Sequence, residues 1–347
     1  MDIKNRSQIK TVRSLITGGA GFIGSHVVDK LIDLDHDVVV LDDLSGGFEN
    51  NINKKANFIK GSVTDTVLLD KIFKQYQFDY VFHLAAYAAE GLSHFIRHFN
   101  YENNLIGSIN LINLSVKHKI KRFIFTSSIA VYGSNQTPMV ETLTPRPEDP
   151  YGISKYAVEL DLRAAHELFG LNYTIFRPHN VYGERQNLSD PFRNVLGIFI
   201  NNTMKGLPMT VFGNGKQTRA FTHVNDVAPY IAKSVDMPDT KNQVYNIGSD
   251  KPYTILELAQ IISSIMGKPP NIRHLPARNE VVHAYADHSK FKKAFNVKHT
   301  VDLVEGIKQM VDWSKKIGPQ EPTKFDHPIE ISRNLPPSWK SLLQNEE

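Results

Sequence analysis

A glycine-rich turn near the start of the chain constrains the possible folds more than any other feature. Residues 14–17 form a short apolar run typical of a buried strand, and residues 22–34 have the apolar spacing of a helix. Gly18, Gly21 and Gly24 lie at their junction. Glycines in this context allow a tight turn, a close backbone approach to a phosphate and close helix packing. The helix N-terminus also offers free N–H groups to an anion, so the sequence predicts a dinucleotide site here.

An acidic residue after the second predicted strand indicates which dinucleotide would bind. Residues 38–41 are three valines and a leucine, and Asp42 follows them, 18 residues after Gly24. A carboxylate at this spacing hydrogen-bonds the adenosine ribose and would repel a 2′-phosphate. We therefore expect NAD rather than NADP. A glycine turn that binds no nucleotide is the alternative, and the common register of strand, helix and Asp42 argues against it.

The rest of the chain predicts an α/β fold. Over the first half, β-branched runs alternate with helical stretches, a pattern typical of a parallel sheet with helices on both faces. From about Val181 the regular alternation of strand-like and helical stretches ends, which predicts a smaller, partly discontinuous second domain. The predicted strands are residues 14–17, 38–41, 57–60, 80–84, 122–126 and 173–177, then 208–212 and 244–247. We expect a loose leader (1–13), an NAD-binding domain (14–180, with returns near 221–248), a second domain (181–317) and a Pro-rich tail (318–347).

Composition excludes several classes of protein. The 347 residues include 40 Lys+Arg and 36 Asp+Glu, and a net charge of +4 is too small to indicate nucleic-acid binding. The chain has no cysteine, which excludes disulfides, thiolate chemistry and cysteine-based zinc sites. It has no long apolar run and no apolar signal core near its start. We expect a cytoplasmic protein with no membrane span and no metal site.

Three side chains are candidates for acid–base chemistry. Tyr151 and Lys155 are four residues apart in a predicted helix that starts after Pro150, so they share a face. An ammonium group beside a phenol lowers the phenol pKa, which is what a proton-abstracting tyrosine needs. Ser128 follows the fifth predicted strand, at the sheet edge where ligands bind, and could donate to a substrate oxygen. A packed tyrosine, a lysine extending to solvent and a turn-capping serine are the structural alternatives.

These residues belong to a wider set of motifs. The set comprises the glycine turn, Asp42, residues 83–86, 127–133, 151–155, 177–183, 212–224 and 284–287. With them the chain resembles the nucleotide-sugar epimerase branch of the extended short-chain dehydrogenase/reductase superfamily, from about Ser14 to Trp313. The resemblance implies a Rossmann-type doubly wound sheet that binds NAD. It also implies a C-terminal domain for a nucleoside diphosphate sugar, and a homodimer.

The resemblance also assigns roles to residues. Tyr151 would be the base, Lys155 would tune it and hold the nicotinamide ribose, and Ser128 would share the substrate proton. The implied cofactor contacts are Gly18, Gly21, Phe22, Ile23, Gly24, Asp42, Ser62, Val63, Leu84, Ala85, Ala86, Asn104, Tyr151, Lys155 and Pro178. The implied substrate contacts are Ser128, Tyr151, Asn180, Val211, Arg219, Arg278 and Ala284, with Asn180 and Arg219 facing the diphosphate.

Residues 129 and 130 and the absence of cysteine reduce the number of family reactions that the chain could catalyse. Related 4,6-dehydratases carry an Asp-Glu pair after the serine or threonine, and related decarboxylases carry a Glu, whereas this chain has Ile129 and Ala130. Relatives that epimerise C3 and C5, and the fucose synthases, use a cysteine. The resemblance therefore favours a UDP-glucose or UDP-N-acetylglucosamine 4-epimerase acting through a transient 4-keto sugar. A uronate 4-epimerase, a 2-epimerase, a 4-ketoreductase and a non-catalytic NAD-binding protein are the alternatives.

Some positions depart from the family pattern. Ala220 replaces a frequent aspartate, the segment of Arg278 is one residue short, and residues 87–91 are unusual for a 4-epimerase. Ala284 occupies a position where a large residue excludes N-acetyl sugars in relatives. We therefore expect UDP-N-acetyl sugars to be accepted, with simple packing of Ala284 as the alternative.

Overall fold

The computed structural model describes residues 11–134, 136–277, 281–322 and 325–343, and its centre is a parallel sheet of seven strands. The sheet strands are β1 (Arg13–Thr17), β2 (Asp37–Asp42), β3 (Asn57–Lys60), β4 (Tyr80–His83), β5 (Arg122–Thr126), β6 (Tyr173–Pro178) and β11 (Gln243–Ile247). Their order in the sheet is β11-β6-β5-β4-β1-β2-β3, with all neighbours parallel. This confirms the predicted fold class.

Helices cover both faces of this sheet, because its strands are apolar on both sides. The helices of this part are α1 (Phe22–Asp33), α2 (Thr66–Tyr76), α3 (Glu90–Ser93), α4 (Arg97–Tyr101), α5 (Gly107–Lys117), α6 (Pro150–Phe169), α8 (Ala228–Lys233) and α10 (Ser289–Phe295). Two hydrophobic clusters form between helices and sheet: one includes residues of α2, α5 and α6, and the other includes residues of α1, α8 and α10. Within the described residues, no helix is long and apolar enough to cross a bilayer.

A third hydrophobic cluster lies among the elements that follow the sixth sheet strand. Short strands pair in three small sheets beside three helices. The strands are β7 (Val181–Tyr182), β8 (Met209–Phe212), β9 (Thr218–Ala220), β10 (Thr222–His223), β12 (Pro252–Thr254), β13 (Ile272–Leu275) and β14 (His283–Ala284). The helices are α7 (Val195–Lys205), α9 (Ile255–Met266) and α11 (Leu303–Ile317), and α12 (Pro337–Leu343) lies near the C-terminus.

Local sequence explains where the long helix α6 starts and stops. The Asp149 carboxylate accepts a hydrogen bond from the Gly152 N–H at 2.9 Å, and Pro150 occupies the first turn, where no N–H donor is needed. Gly170 ends the helix in the left-handed conformation. These caps fix the register of the helix that carries Tyr151 and Lys155.

Candidate active site

The carboxyl ends of the sheet strands and the small sheets enclose one large cleft of about 960 Å³. In parallel sheets, ligands bind at this edge, beside the point where the strand order reverses. Here that point lies between β1 and β4, and the segments after β1, β2, β4 and β5 all line the cleft. The volume is at the upper end of the range for small-molecule sites.

The glycine turn after β1 is built by close backbone contacts. Gly18 has a φ of +74°, and a Cβ there would lie 2.6 Å from the backbone nitrogen of Ala85. A Cβ on Gly24 would lie 2.0 Å from the carbonyl oxygen of Gly18. Phe22 and Ile23, the first residues of α1, line the cleft next to this turn. Because only glycine fits these contacts, the turn forms a cradle that suits a dinucleotide pyrophosphate.

Asp42 lies at the end of β2 and lines the same cleft. Its carboxylate accepts hydrogen bonds from the N–H of Ala20 at 2.9 Å and of Leu44 at 2.8 Å. Burial raises the pKa of the Asp42 carboxyl, and these hydrogen bonds oppose the rise. The carboxylate retains acceptor capacity for a ribose hydroxyl, so Asp42 both fixes the turn and suits an adenosine ribose.

Most of the other predicted cofactor residues also line the cleft; these are Gly21, Ser62, Val63, Leu84, Ala85, Ala86, Tyr151, Lys155 and Pro178. Asn104 does not line the cleft, so its contact with the cofactor stays a prediction. Its amide accepts from the Tyr87 N–H at 2.8 Å and donates to the Tyr87 carbonyl at 3.1 Å. With its side chain used in this way, Asn104 fixes the backbone at the start of segment 87–91.

Tyr151, Lys155 and Ser128 meet in the middle of the cleft. Ser128 hydrogen-bonds Tyr151, and its Oγ also accepts from the Ala130 N–H at 3.1 Å. The Lys155 Nζ lies 5.8 Å from the centre of the Tyr151 ring and donates to the Thr126 carbonyl at 2.9 Å. Burial raises the pKa of Tyr151, and the hydrogen bond with Ser128 opposes the rise. Burial lowers the pKa of Lys155 to about 7.

A buried ion pair behind Lys155 was missed by the sequence analysis. Glu159 is fully buried, and its carboxylate accepts from Arg177 at 2.9 and 2.5 Å and from the Ser127 hydroxyl at 2.6 Å. The negative charge of Glu159 raises the Lys155 pKa against the effect of burial. The signal was available: Glu159 follows Lys155 by four residues, as Lys155 follows Tyr151, so all three share one helix face.

At the other end of the cleft lie three of the residues expected to bind substrate. Asn180 has a φ of +40° and donates to the Ala220 carbonyl at 3.1 Å. The Arg219 guanidinium is held by backbone carbonyls, among them those of Val281 at 2.6 Å and Val282 at 3.0 Å. Ala284, in β14, pairs with Arg219 across the small sheet and also lines the cleft.

Val211, another expected substrate contact, has a side chain that faces away from the cleft. It is 1% exposed and packs in the hydrophobic cluster around α7 and α9. Because side chains alternate along a strand, its neighbours Thr210 and Phe212 line the cleft instead. A contact of Val211 with substrate stays a prediction. Arg278 lies outside the described residues.

The positions that would distinguish related reactions also line the cleft. Ile129 and Ala130 lie directly after Ser128 in a short turn of 3₁₀ helix, Ile129–Tyr132, so neither position offers a proton donor there. Near them, Arg193 lies over the ring of Tyr87 at 4.9 Å from its centre, a contact that no sequence motif indicated. Within the described residues, no three acidic or histidine side chains cluster as a metal ion would require.

Comparison with known families gives a match over most of the chain. Residues 14–248 match the model of the NAD dependent epimerase/dehydratase family. A protein of Methanocaldococcus jannaschii, provisionally named a UDP-glucose 4-epimerase, is 39% identical over 305 residues, covering 87% of this chain and 98% of that protein.

Two crystal structures are also similar. One is a UDP-glucose 4-epimerase from Thermotoga maritima with UDP-glucose: 36% identity, a TM-score of 0.85, and coverage of 88% of this chain and 99% of that chain. The other is a UDP-N-acetylglucosamine 4-epimerase from Methanobrevibacter ruminantium in complex with UDP-N-acetylmuramic acid. It is 34% identical, with a TM-score of 0.83 and coverage of 89% of this chain and all of that chain.

Proposed function

The chain belongs to the NAD-dependent epimerase/dehydratase family, and from this premise we propose that it is a UDP-hexose 4-epimerase. The observation that carries the proposal is the convergence of Tyr151, Lys155 and Ser128 beside the glycine turn, with Ile129 and Ala130 next to them. The three polar residues suit reversible oxidation of a sugar hydroxyl. The two apolar residues supply no acid for dehydration or decarboxylation.

The chemistry at the sugar needs one proton carrier. When bound, NAD supplies the hydride acceptor and donor for the sugar carbon, which becomes a transient ketone. The Tyr151 Oη takes the proton of the C4 hydroxyl and returns it to the oxygen after the sugar has turned over. Ser128 donates a hydrogen bond to the same oxygen and keeps it near the phenol.

Lys155 controls the charge around this phenol. Its ammonium group is held by the Thr126 carbonyl and by the field of buried Glu159, so it can remain charged near neutral pH although burial lowers its pKa to about 7. A positive charge there favours the phenolate form of Tyr151, which burial alone disfavours. When NAD is bound, the same ammonium group would hold the nicotinamide ribose, as the family resemblance implies.

The substrate is proposed to be a UDP-hexose or its N-acetyl derivative. Arg219 and Asn180, with Arg278, would hold the diphosphate, for which a guanidinium group is well suited. The small Ala284 leaves room for an N-acetyl group at C2. The Thermotoga relative crystallised with UDP-glucose and the relative named a UDP-N-acetylglucosamine 4-epimerase support both substrates.

The domain division and the homodimer remain part of this proposal, as does the cytoplasmic location. Residues 14–180, with returns near 221–248, would bind NAD, and residues 181–317 would bind the nucleotide sugar. Ile153 and Leu160 are exposed on α6, and Ile106 is exposed next to α5. An apolar face of this kind suits pairing with a second copy, which light scattering of the purified protein would test.

Proton NMR tests the activity directly. We expect protein incubated with NAD and UDP-glucose, then with UDP-N-acetylglucosamine, to form the C4 epimers without net NADH. Tyr151→Phe should lower kcat by about a hundredfold or more, because it removes the proton carrier. Tyr156→Phe, on the same helix but outside the cleft, is the matched control and should keep the wild-type rate. Net NADH, turnover of UDP-glucuronate alone, or an unaffected Tyr151→Phe variant would each contradict the proposal.

A further inference from the structure

The C-terminal segment, defined here as residues 325–343, packs against the part of the cleft that surrounds segment 87–91. Phe325, Leu335 and Trp339 are all less than a tenth exposed and share a hydrophobic cluster with Leu92 and Ile96. This cluster is separate from the three that hold the sheet and the small sheets together. The segment therefore packs over α3 and α4, outside the parts of the fold that these three clusters hold together.

This segment lies outside the region of family resemblance. The relatives compared are covered almost completely by 87 to 89% of this chain, so about 40 of its 347 residues lie outside each match. The motifs that carry the family resemblance end near Trp313, before residues 325–343. The family resemblance therefore assigns no role to this segment.

Trp339 brings the segment to the cleft. Trp339 and Ser338 both line it, although Trp339 is only 4% exposed. Its ring meets the ring of Phe192 edge-on at 5.3 Å, and a Cβ on Gly91 would lie 3.1 Å from it. Trp339 thus fills the space between α3 on one side and the loop before α7 on the other.

The segment is anchored at two places. The Glu330 carboxylate accepts hydrogen bonds from the N–H groups of His98 at 2.8 Å and Phe99 at 2.9 Å, in the first turn of α4. Just before the segment, the backbone of Gln320 exchanges two hydrogen bonds with the Asn201 side chain in α7, at 2.8 and 2.9 Å. The C-terminal end of the chain therefore joins the helices on both sides of the cleft.

The wall made by Trp339 belongs to the same cleft as Tyr151. Ser93, the last residue of α3, accepts a hydrogen bond from the Tyr151 backbone N–H at 3.3 Å, which ties the helix that Trp339 contacts to the start of α6. Glu90 and Arg193 are next in sequence to Gly91 and Phe192, which Trp339 contacts; the charge of Glu90 raises the pKa of Tyr151 and that of Arg193 lowers it. Because the nucleotide end is expected at Asn180 and Arg219, a ligand reaching Tyr151 would present its sugar, and not its uridine, to this wall.

We propose that the C-terminal segment forms the outer wall of the sugar subsite, with Trp339 as a residue that determines sugar binding. The inference rests on the proposed function, since it takes the ligand to be a nucleoside diphosphate sugar. A wall that contacts only the sugar distinguishes ligands with a hexose from the nucleotide alone.

Intrinsic fluorescence tests the contact without requiring turnover. The chain has two tryptophans, Trp313 and Trp339. In a Trp313→Phe variant, Trp339 is the sole tryptophan reporter. We expect a saturable emission change with UDP-glucose that UDP does not reproduce. Equal changes with both ligands, or none with UDP-glucose at concentrations that displace bound UDP, would overturn the proposal.

Kinetics test the role in binding. Trp339→Ala should raise the KM for UDP-glucose about tenfold, as expected for a lost wall of a binding pocket, while the inhibition constant of UDP stays within about twofold. Trp339→Phe should restore most of the affinity. Glu321→Ala, which removes an exposed ion pair with Lys205 before the segment, is the control with wild-type kinetics.

The outcomes separate this proposal from the proposed function. A merely structural role of Trp339 would raise the KM for UDP-glucose and the inhibition constant of UDP together and would lower the melting temperature, which overturns the inference alone. If the wild-type protein turns over no UDP-hexose, the proposed function fails. The fluorescence titration still decides whether a nucleotide sugar reaches Trp339.

Discussion

The buried pair of Glu159 and Arg177 makes a strong prediction about stability. The two side chains are 0% and 1% exposed and are joined by hydrogen bonds of 2.9 and 2.5 Å. Arg177 also donates to the Tyr132 hydroxyl at 2.6 Å. Removing Glu159 leaves the buried Arg177 charge without its carboxylate, and removing Arg177 leaves Glu159 with the more distant Arg163, at 3.9 Å, and Lys155; each loss costs about 3–5 kcal/mol. Removing both costs much less, because neither charge of the pair then remains in the apolar surroundings.

We therefore expect Glu159→Leu and Arg177→Met each to lose about 3–5 kcal/mol of unfolding free energy. The double variant Glu159→Leu/Arg177→Met should lose clearly less than either single variant, which gives a coupling energy of at least about 3 kcal/mol. Urea unfolding followed by circular dichroism measures these losses. Single losses below about 1 kcal/mol, or a double loss equal to the sum, would refute the assignment of this pair as buried and mutually compensating.

The same perturbation has a second effect, on the pH dependence of activity. Glu159 supports the charge of Lys155, so its loss lowers the Lys155 pKa further below its ordinary value. The active, charged form then persists only at lower pH. We expect the alkaline limb of the kcat profile of Glu159→Gln to move to lower pH, with activity recovering as the assay is acidified. An unshifted profile would show that Glu159 does not act on Lys155.

Three further predictions concern single residues of the cleft. Burial lowers the Lys155 pKa to about 7 from its ordinary value of 10.5, so between these two pH values the unfolded chain binds one more proton than the folded protein. The unfolding free energy of the nucleotide-free protein should therefore rise by about 1.4 kcal/mol per pH unit in this range. Urea unfolding at several pH values measures this slope, which should be smaller in Lys155→Met. Asp42→Asn should keep one acceptor oxygen for the turn but remove the negative charge that repels a 2′-phosphate. In binding titrations the ratio of NAD affinity to NADP affinity should fall by about tenfold, and an unchanged ratio would contradict the role of Asp42. Ala284→Tyr should lower kcat/KM for UDP-N-acetylglucosamine by about tenfold more than for UDP-glucose, whereas equal losses would mean that Ala284 only packs.

The parts of the fold that depend on local rules were predictable from the sequence. The parallel sheet follows from the alternation of β-branched runs and helical stretches, and all seven of its strands were placed within one residue at each end. The glycine turn was predictable because its chemistry is local: Gly18 adopts a positive φ, and Gly24 touches Gly18 six residues away. Tyr151 and Lys155 share a helix face for the same local reason.

The surroundings of some expected site residues depend on distant packing. Residues 208–212 were predicted as a strand, and β8 is formed at Met209–Phe212, but which side of it faces the cleft is set by α7 and α9. The sequence therefore could not show that the Val211 side chain faces away from the cleft. Asn104 was expected at the cofactor, yet its amide is used by the backbone of Tyr87, 17 residues earlier. A valine or an asparagine is common both in a binding cleft and in the packed interior. Only the tertiary contacts determine which of the two environments each of these side chains occupies.

The C-terminal segment shows why such contacts limit inference from sequence. Its prolines indicate an extended chain, and this says nothing about what the chain covers. The partners of Trp339 and Glu330 are Gly91 and the start of α4, more than 230 residues away along the chain, and no periodicity links such positions. Family motifs do not help either, because they end near Trp313, before the segment. If Trp339 determines sugar binding, substrate preference in this protein depends on a region that neither local rules nor family motifs describe, and the motifs alone are poor guides to its sugar.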